Sequence, residues 1–292
     1  MTAWSRRRAL AALGLSPLWA SPLACGRSNE RRAEPGRRIA SQTVLSDEVL
    51  WDLGHTVRQI VVAVSPMADD TRYCRVANLW PQDIPRVSGS SEALIATAPD
   101  LVILASFTAT ETRTMVERAG LKTLVLDRFD GFDDYRDNVQ RIADAVGASD
   151  EGKTLVAQFD ERLATLSTDP PKRPQVVSWT EGSVPGANTS FHDIAVAAGF
   201  ENLPAVQGKS GHLQVSVEEL VTWDPEVLVV PCGVDDCDAV AAEVRGRAGL
   251  RATRAARNGR VVAIPSRDLY SVGAGMLDAV KRLREQGAGS TP

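Results

Sequence analysis

No Gly-x-Ser-x-Gly run, the strained turn that presents a serine nucleophile, occurs anywhere in the 292 residues. Residues 208–211, GKSG, lack the upstream glycine of a phosphate loop and follow no clear strand. Residues 273–278, GAGMLD, lack the third glycine of a dinucleotide fingerprint and open the last helical stretch instead of following the first strand. Without such constellations, a secreted hydrolase or transferase stands only as a rival reading. Histidine is scarce too. The three that exist, His55, His192 and His212, are far apart in sequence, so a zinc- or manganese-type site requires the fold to converge them. His55 follows Gly54 at a helix end, where a solvated or C-capping role is expected. Acidic pairs such as Asp69/Asp70, Asp133/Asp134 and Asp235/Asp236 read as turn and cap residues.

Basic charge is not in excess. Lys and Arg number 33 against 37 Asp and Glu, and three of the arginines sit in the first 25 residues, leaving about −7 on the remainder against −4 overall. A nucleic-acid partner, which needs a basic face to displace phosphate counterions, is not expected. The start itself, TAWSRRRALAALGLSPLWASPLACG, has a charged head at Arg6, Arg7 and Arg8 and an apolar stretch from Ala9 to Ala24. That stretch is short and broken by Pro17 and Pro22, which favours an export signal over a membrane span. It fits both a twin-arginine and an ordinary secretory signal. Cys25, in LACG, resembles a bacterial lipoprotein cleavage site, although Pro22 stands where that pattern has leucine. Residues 26–37 are charged, lack apolar periodicity and read as a flexible tether. Of the other cysteines, Cys232 and Cys237 are spaced for a small loop disulfide in an exported protein, and Cys74 is expected to be a buried, inert thiol.

Beyond Arg38, short apolar runs alternate with helical stretches. RIAS (38–41), IVVAV (60–64), the run from Leu101 and KTLVLD (122–127) read as strands buried on both faces, hence a parallel sheet. The intervening helices are expected near residues 46–53, 110–119 and 132–146. Ser149 as N-cap, followed by Asp150 and Glu151, opens a longer helix carrying Leu155, Phe159, Leu163 and Leu166 on one side. The helix stops before the proline-rich STDPPKRPQ. A second alternation follows: strand 175–179, helix 191–198, the run from Val227, helix 238–247, strand 260–264 and a final helix over 273–285. The expected architecture is α/β: two similar doubly wound lobes with mainly parallel sheets, joined by one long helix, with a cleft between them. The segments are an export signal (1–25), tether (26–37), N-terminal lobe (38–148), linking helix (149–168) and C-terminal lobe (169–292).

One phrase occurs twice. SSEALIATAPDLVILA (90–105) and SVEELVTWDPEVLVVP (216–231) align without a gap, matching Ser90 with Ser216, Glu92 with Glu218, Leu94 with Leu220 and Pro99 with Pro225. Each serine is placed to cap a helix, each glutamate complements the helix dipole, and each proline ends the segment before a core strand.

These features resemble the substrate-binding proteins of bacterial ABC importers for ferric siderophores, haem and cobalamin. The segments that carry the resemblance are RIASQTVLSDEVLWDLG (38–54), IPRVSGSSEALIATAPDLVILA (84–105), GLKTLVLD (120–127) and HLQVSVEELVTWDPEVLVV (212–230), over about residues 38–286. The resemblance implies a monomeric, non-enzymatic receptor outside the inner membrane with no permanent cofactor. Its ligand would be a ferric chelate, haem or corrinoid, held between the lobes; a divalent-metal receptor is the alternative. Strand-end loops offer Ser65, Met67, Tyr73, Arg86, Phe107, Arg128 and Phe129 from the first lobe, and Trp179, His212, Arg267 and Tyr270 from the second. By resemblance His212 stands where cobalamin receptors place a cleft-facing tryptophan; a histidine can stack, donate or ligate a metal. Arginines favour anionic chelates or propionates, and aromatics suit a planar macrocycle. The resemblance also makes Glu92 and Glu218 docking contacts, one per lobe, for arginines on a dimeric membrane permease, with Glu219 adjacent to the second.

Overall fold

The computed structural model of the protein describes residues 37–87 and 91–287. The signal with Cys25, the tether up to residue 36 and Ser90 lie outside the described residues.

The first half runs β1 (Ile39–Ser41), α1 (Val44–Asp52), α2 (His55–Arg58), β2 (Val61–Ala63), α3 (Ser91–Ala96), β3 (Leu101–Ala105), α4 (Thr110–Arg118), β4 (Lys122–Leu126) and α5 (Phe132–Val146). Its four strands form a parallel sheet of order β2-β1-β3-β4. β3, the apolar run of the first repeated phrase, is central and buried throughout, as a strand covered on both faces must be. α6 (Ser149–Leu166) follows.

The second half runs β5 (Gln175–Ser178), β6 (Ser183–Pro185), α7 (Ser190–Ala197), β7 (Glu201–Asn202), α8 (Leu203–Val206), β8 (His212–Gln214), α9 (Val217–Trp223), β9 (Val227–Cys232), α10 (Cys237–Gly246), α11 (Arg254–Arg257), β10 (Val261–Pro265), α12 (Ser266–Leu269) and α13 (Met276–Gly287). Strands β5, β7, β9 and β10 form a second parallel sheet, and β6 pairs antiparallel with β8. Read from β7, its order is second, first, third, fourth strand, the same as in the first sheet. The repeated phrase is therefore one structural unit used twice: α3–β3 and α9–β9 each supply the third strand, next to the point where the winding reverses. The two sheets with their helices are the two lobes.

α6 touches both lobes. Phe159 packs on Phe132 and Tyr135 of α5, with ring centroids 5.7 and 4.6 Å apart. Farther along, Arg162 pairs with Asp278 of α13, and Arg284 Nη1 donates to the Leu166 carbonyl at 2.8 Å. Buried residues of both lobes join in one apolar cluster here, among them Ile103 and Ile264 of the two sheets and Ile142 and Ile194 of α5 and α7.

Local corrections have local causes. Ala148, not Ser149, is the N-cap of α6; Ser149 is already helical and its hydroxyl serves Asp144. His55 opens α2 after Gly54, whose φ of 102° lets the chain turn, and Leu53 caps α1. The last helix starts at Met276, because Gly273 and Gly275 wrap around Ser271, whose Oγ accepts from the Gly273 N–H at 3.0 Å.

Helix α5 lacks a cap of its own, since Gly131 at its N-cap has no side chain. Asp193 of α7, from the other lobe, supplies one: the Phe132 N–H donates to its Oδ2 at 2.8 Å. A Cβ at Gly131 would stand 2.1 Å from that oxygen, so any larger residue there would displace the Asp193 carboxylate from its cap. Replacing Asp193 by alanine is expected to cost about 1 kcal/mol in urea unfolding, and Asp193→Asn, which keeps an acceptor, only a fraction of that.

Candidate functional site

Between the lobes, strand C-terminal ends wall a chamber of about 460 Å³. This is where parallel α/β sheets collect ligands, beside the points at which strand order reverses. β3 sends out Phe107, which is 77% exposed; Phe129 and Asp130 follow β4. The Phe107 and Phe129 rings lie 5.5 Å apart, tilted by 52°. From the facing lobe come Ser178 at the end of β5 and Thr180 just after it, Thr189 and Phe191 around the start of α7, and Leu269, Tyr270 and Val272 beyond β10. His212, exposed on β8 opposite Pro185, closes one side. The Thr180 and Tyr270 hydroxyls share a hydrogen bond of 2.7 Å.

A smaller chamber of about 180 Å³ adjoins it, with Tyr270 and Val272 belonging to both walls. Val44, Leu45 and Glu48 of α1, with Met67 and Tyr73, form its N-terminal-lobe side; Ser266, Ser271 and Gly273 form the other. The structure thus brings Met67, Tyr73, Phe107, Phe129, His212 and Tyr270 to these walls.

The other five sequence candidates line neither chamber. Ser65 is buried: its N–H donates to Asp47 Oδ1 at 3.1 Å and its hydroxyl to Oδ2 at 2.5 Å. Arg86 closes a loop, forked onto Asp69 at 2.7 and 2.8 Å and donating to the carbonyls of Trp80, Pro81 and Ile84. Arg128 pairs with Asp134 of α5. Trp179 is buried in the core of the second lobe, with the Arg247 guanidinium 5.9 Å from its ring centre. Arg267 lines a separate polar groove with Arg75, Asp278 and Lys281. Carboxylate partners and apolar cores, set by tertiary packing, took these side chains from the cleft.

Sequence reasoning missed the hydroxyl wall of Thr180, Ser183 and Thr189, because β6 and β8 are too short to register as strands. It also missed Glu48, though a signal existed. Leu45, Glu48, Val49 and Asp52 share one helical face, so acids were bound to fall among buried apolar neighbours. Asp47 and Glu48 are almost wholly buried, and burial pushes their pKa values up to about 6 and about 7. Burial raises Asp52 as well, against the opposing pull of Arg75, with which it pairs. The Arg75 N–H donates to Glu48 Oε1 at 2.7 Å.

Cys232 and Cys237 form a disulfide between the end of β9 and the start of α10. Cys74 is buried and free, with burial first among the causes that push its thiol up to about 12. Among the described residues the three histidines do not gather at metal-ligand distance, and the cluster of Cys232, Asp236 and Cys237 has its thiols committed to the disulfide. Glu92 and Glu218 are exposed in the first turns of the equivalent helices α3 and α9. The Glu219 N–H donates to Ser216 Oγ, the N-cap of α9, at 3.1 Å. No helix among the described residues is long and apolar enough to cross a membrane.

The family model for periplasmic binding proteins matches residues 39–267. A cobalamin-binding protein of Halobacterium salinarum is 25% identical over 258 residues, covering 86% of this chain and 69% of the relative. A periplasmic haem-binding protein from Roseiflexus sp. RS-1 superimposes with a TM-score of 0.71 at 23% identity, covering 86% of this chain and 97% of that one. A protein of an ABC-type Fe3+-hydroxamate transport system from Saccharomonospora viridis does so at 0.66 and 23% identity, covering 87% and 93%. At these identities the superpositions establish the fold.

The buried acids of α1 set a pH dependence of stability. Glu48 rises from 4.5 unfolded to about 7 folded, so between those values the native state holds a proton that the unfolded chain has lost. Its stabilising effect is complete below about pH 4.5 and lost as pH rises through about 7. Urea unfolding of Glu48→Gln across this window is expected to decline less with rising pH than that of the parent protein.

Proposed function

The chain belongs to the periplasmic binding protein family, and from that premise we propose that it is a non-catalytic receptor delivering a large metal chelate to an ABC importer. Of the candidate ligands, a corrinoid is the one the cleft supports best. The observation that carries this reading is the character of the larger chamber, where Phe107, Phe129, Phe191 and Tyr270 combine with hydroxyls and no arginine or lysine is among the lining residues. Haem propionates or carboxylate-rich siderophores call for guanidinium partners to repay their desolvation. Here Asp130 on the wall opposes them. A corrinoid presents a broad planar ring to the aromatics and amide side-arms to the hydroxyls, and its cobalt offers a site for an imidazole such as that of His212. The cobalamin-binding relative supports the same choice. In this reading Cys25 bears the lipid that holds the exported receptor at the envelope.

The permease contacts are Glu92 and Glu218. Their support is positional: the two exposed glutamates occupy equivalent turns of lobes with equal strand order, as a twofold permease would require.

Two experiments test this. Titration of the purified protein with cobalamin, haem, a ferric hydroxamate, zinc and manganese is expected to give saturable cobalamin binding with Kd near or below ~1 µM. His212→Ala should weaken it about three- to tenfold, the loss of a ring contact. Zinc or manganese binding with none of the chelates would sink the reading. In reconstituted vesicles, the double variant Glu92→Arg/Glu218→Arg is expected to bind ligand normally but to lose most uptake. Normal uptake would reduce both residues to helix-end complementarity, worth up to about 1 kcal/mol.

A further inference from the structure

The two chambers are unequal in a way that bears on how one ligand fills them. The larger, at about 460 Å³, falls within the ~300–1,000 Å³ usual for the body of a small-molecule ligand; the smaller, at about 180 Å³, falls below it. The smaller is too tight for a macrocycle and has room for a side-arm. Two residues are common to both walls, Tyr270 and Val272, and the tyrosine side chain is held lightly. Tyr270 belongs to both walls and is 43% exposed. Its backbone is fixed by its N–H, which donates to the Ser266 carbonyl at 2.9 Å, while its ring is tethered through the hydroxyl to Thr180. Thr180 is itself on the wall of the larger chamber. A ligand group that bonds Thr180 competes with Tyr270 for the same hydroxyl, and the freed ring turns about its side-chain bonds without disturbing the chain.

The smaller chamber has a defined polarity. The Arg75 backbone N–H occupies Glu48 Oε1, while Oε2 faces Gly273, where a Cβ would lie only 2.9 Å away, and has Arg75 Nε 3.9 Å off on its other side. Ser271 Oγ accepts from the Gly273 N–H and retains its own proton to donate. Above about pH 7, where Glu48 is ionised, one wall therefore offers an acceptor from the N-terminal lobe, and the other a donor from the C-terminal lobe. No arginine or lysine lines this chamber, and the Arg75 guanidinium behind Glu48 is already shared between Glu48 and Asp52, so a carboxylate would be buried beside Glu48 without a free counter-charge. An ammonium would satisfy Glu48 and leave the serine donor unmatched. A primary amide matches both.

We propose that Tyr270 is a movable partition and that the smaller chamber is the seat for one amide side-arm of the ligand, bridging Glu48 and Ser271 across the lobes. This rests on the corrinoid reading and specifies how the receptor distinguishes intact side-arms from hydrolysed ones.

The test uses the full-length protein and cobalamin derivatives in which a single side-arm amide is hydrolysed to a carboxylate. At least one derivative is expected to bind the parent protein about tenfold more weakly than cobalamin, a loss that requires no variant to measure. Met67→Trp, which fills the smaller chamber from its exposed side, should shrink that deficit to about threefold or less. Tyr270→Phe, which keeps the ring and removes the tether, should speed cobalamin association about threefold or more. Derivatives that all bind like cobalamin, or a deficit that persists in Met67→Trp, would overturn the side-arm seat. An unchanged association rate in Tyr270→Phe would overturn the movable partition. Failure of the parent protein to bind cobalamin at all would overturn the functional reading together with the seat.

Discussion

The apolar cluster beneath α6 binds the two lobes to each other, and the cleft exists because of it. Ile39 and Ile103 of the first sheet, Tyr135 and Phe159 of α5 and α6, and Ile194, Val229 and Leu277 of the second half all belong to it. Each fully buried side chain of this kind contributes about 1.5–3 kcal/mol by leaving water. Sliding one lobe over the other would uncover several at once. The Asp193 cap on α5 and the anchoring of α6 by Arg162 and Arg284 add directional contacts at the same junction. A cleft on such a base adapts most readily through the side chains and loops at its rim. There the rings are exposed and few hydrogen bonds restrain them, as Phe107 and Tyr270 illustrate.

The electrostatics of the cleft follow from where the arginines go. A planar guanidinium is best satisfied by a carboxylate and several carbonyls at once, and Arg86 finds such a set in Asp69 and the loop carbonyls beside it. Arg128 turns to Asp134, and Arg267 lies in a groove outside the cleft. With those cations engaged elsewhere, the chamber walls keep rings and hydroxyls, and the acids among their lining residues are Asp130 and Glu48. This pattern favours ligands whose polar groups are neutral.

Much of the fold was legible in the chain. The apolar runs at Ile39, Val61, Leu101, Val176, Val227 and Val261 became buried parallel strands because a strand covered on both faces must be apolar at every position. The repeated phrase announced the duplicated lobes, since capping serine, inward leucine, stopping proline and core strand are all local properties. Of the six cleft candidates that reached the chamber walls, all but His212, which sits on the antiparallel β8, did so for a related reason: loops after parallel strands emerge on one side of the sheet.

Tertiary structure decided the rest. The β6–β8 pair joins segments nearly thirty residues apart, and neither is long enough to show a period of its own. The fates of Ser65, Arg86 and Trp179 depended on partners some seventeen or more residues away, Asp47, Asp69 and Arg247, while Arg128 turned to nearby Asp134 through the fold of its loop onto α5. The choice between ligand and carboxylate is made by distances of a few ångströms that no spacing rule contains. Likewise Glu48 became a buried acid beside the second lobe, and Tyr270 a residue of both chamber walls, only when α1 and the loop after β10 met. Periodicity and capping act between neighbours in the chain, so the sequence determined the elements and their repetition. Charge pairing and cavity shape act through space, so the packed structure alone determined the chemistry of the cleft.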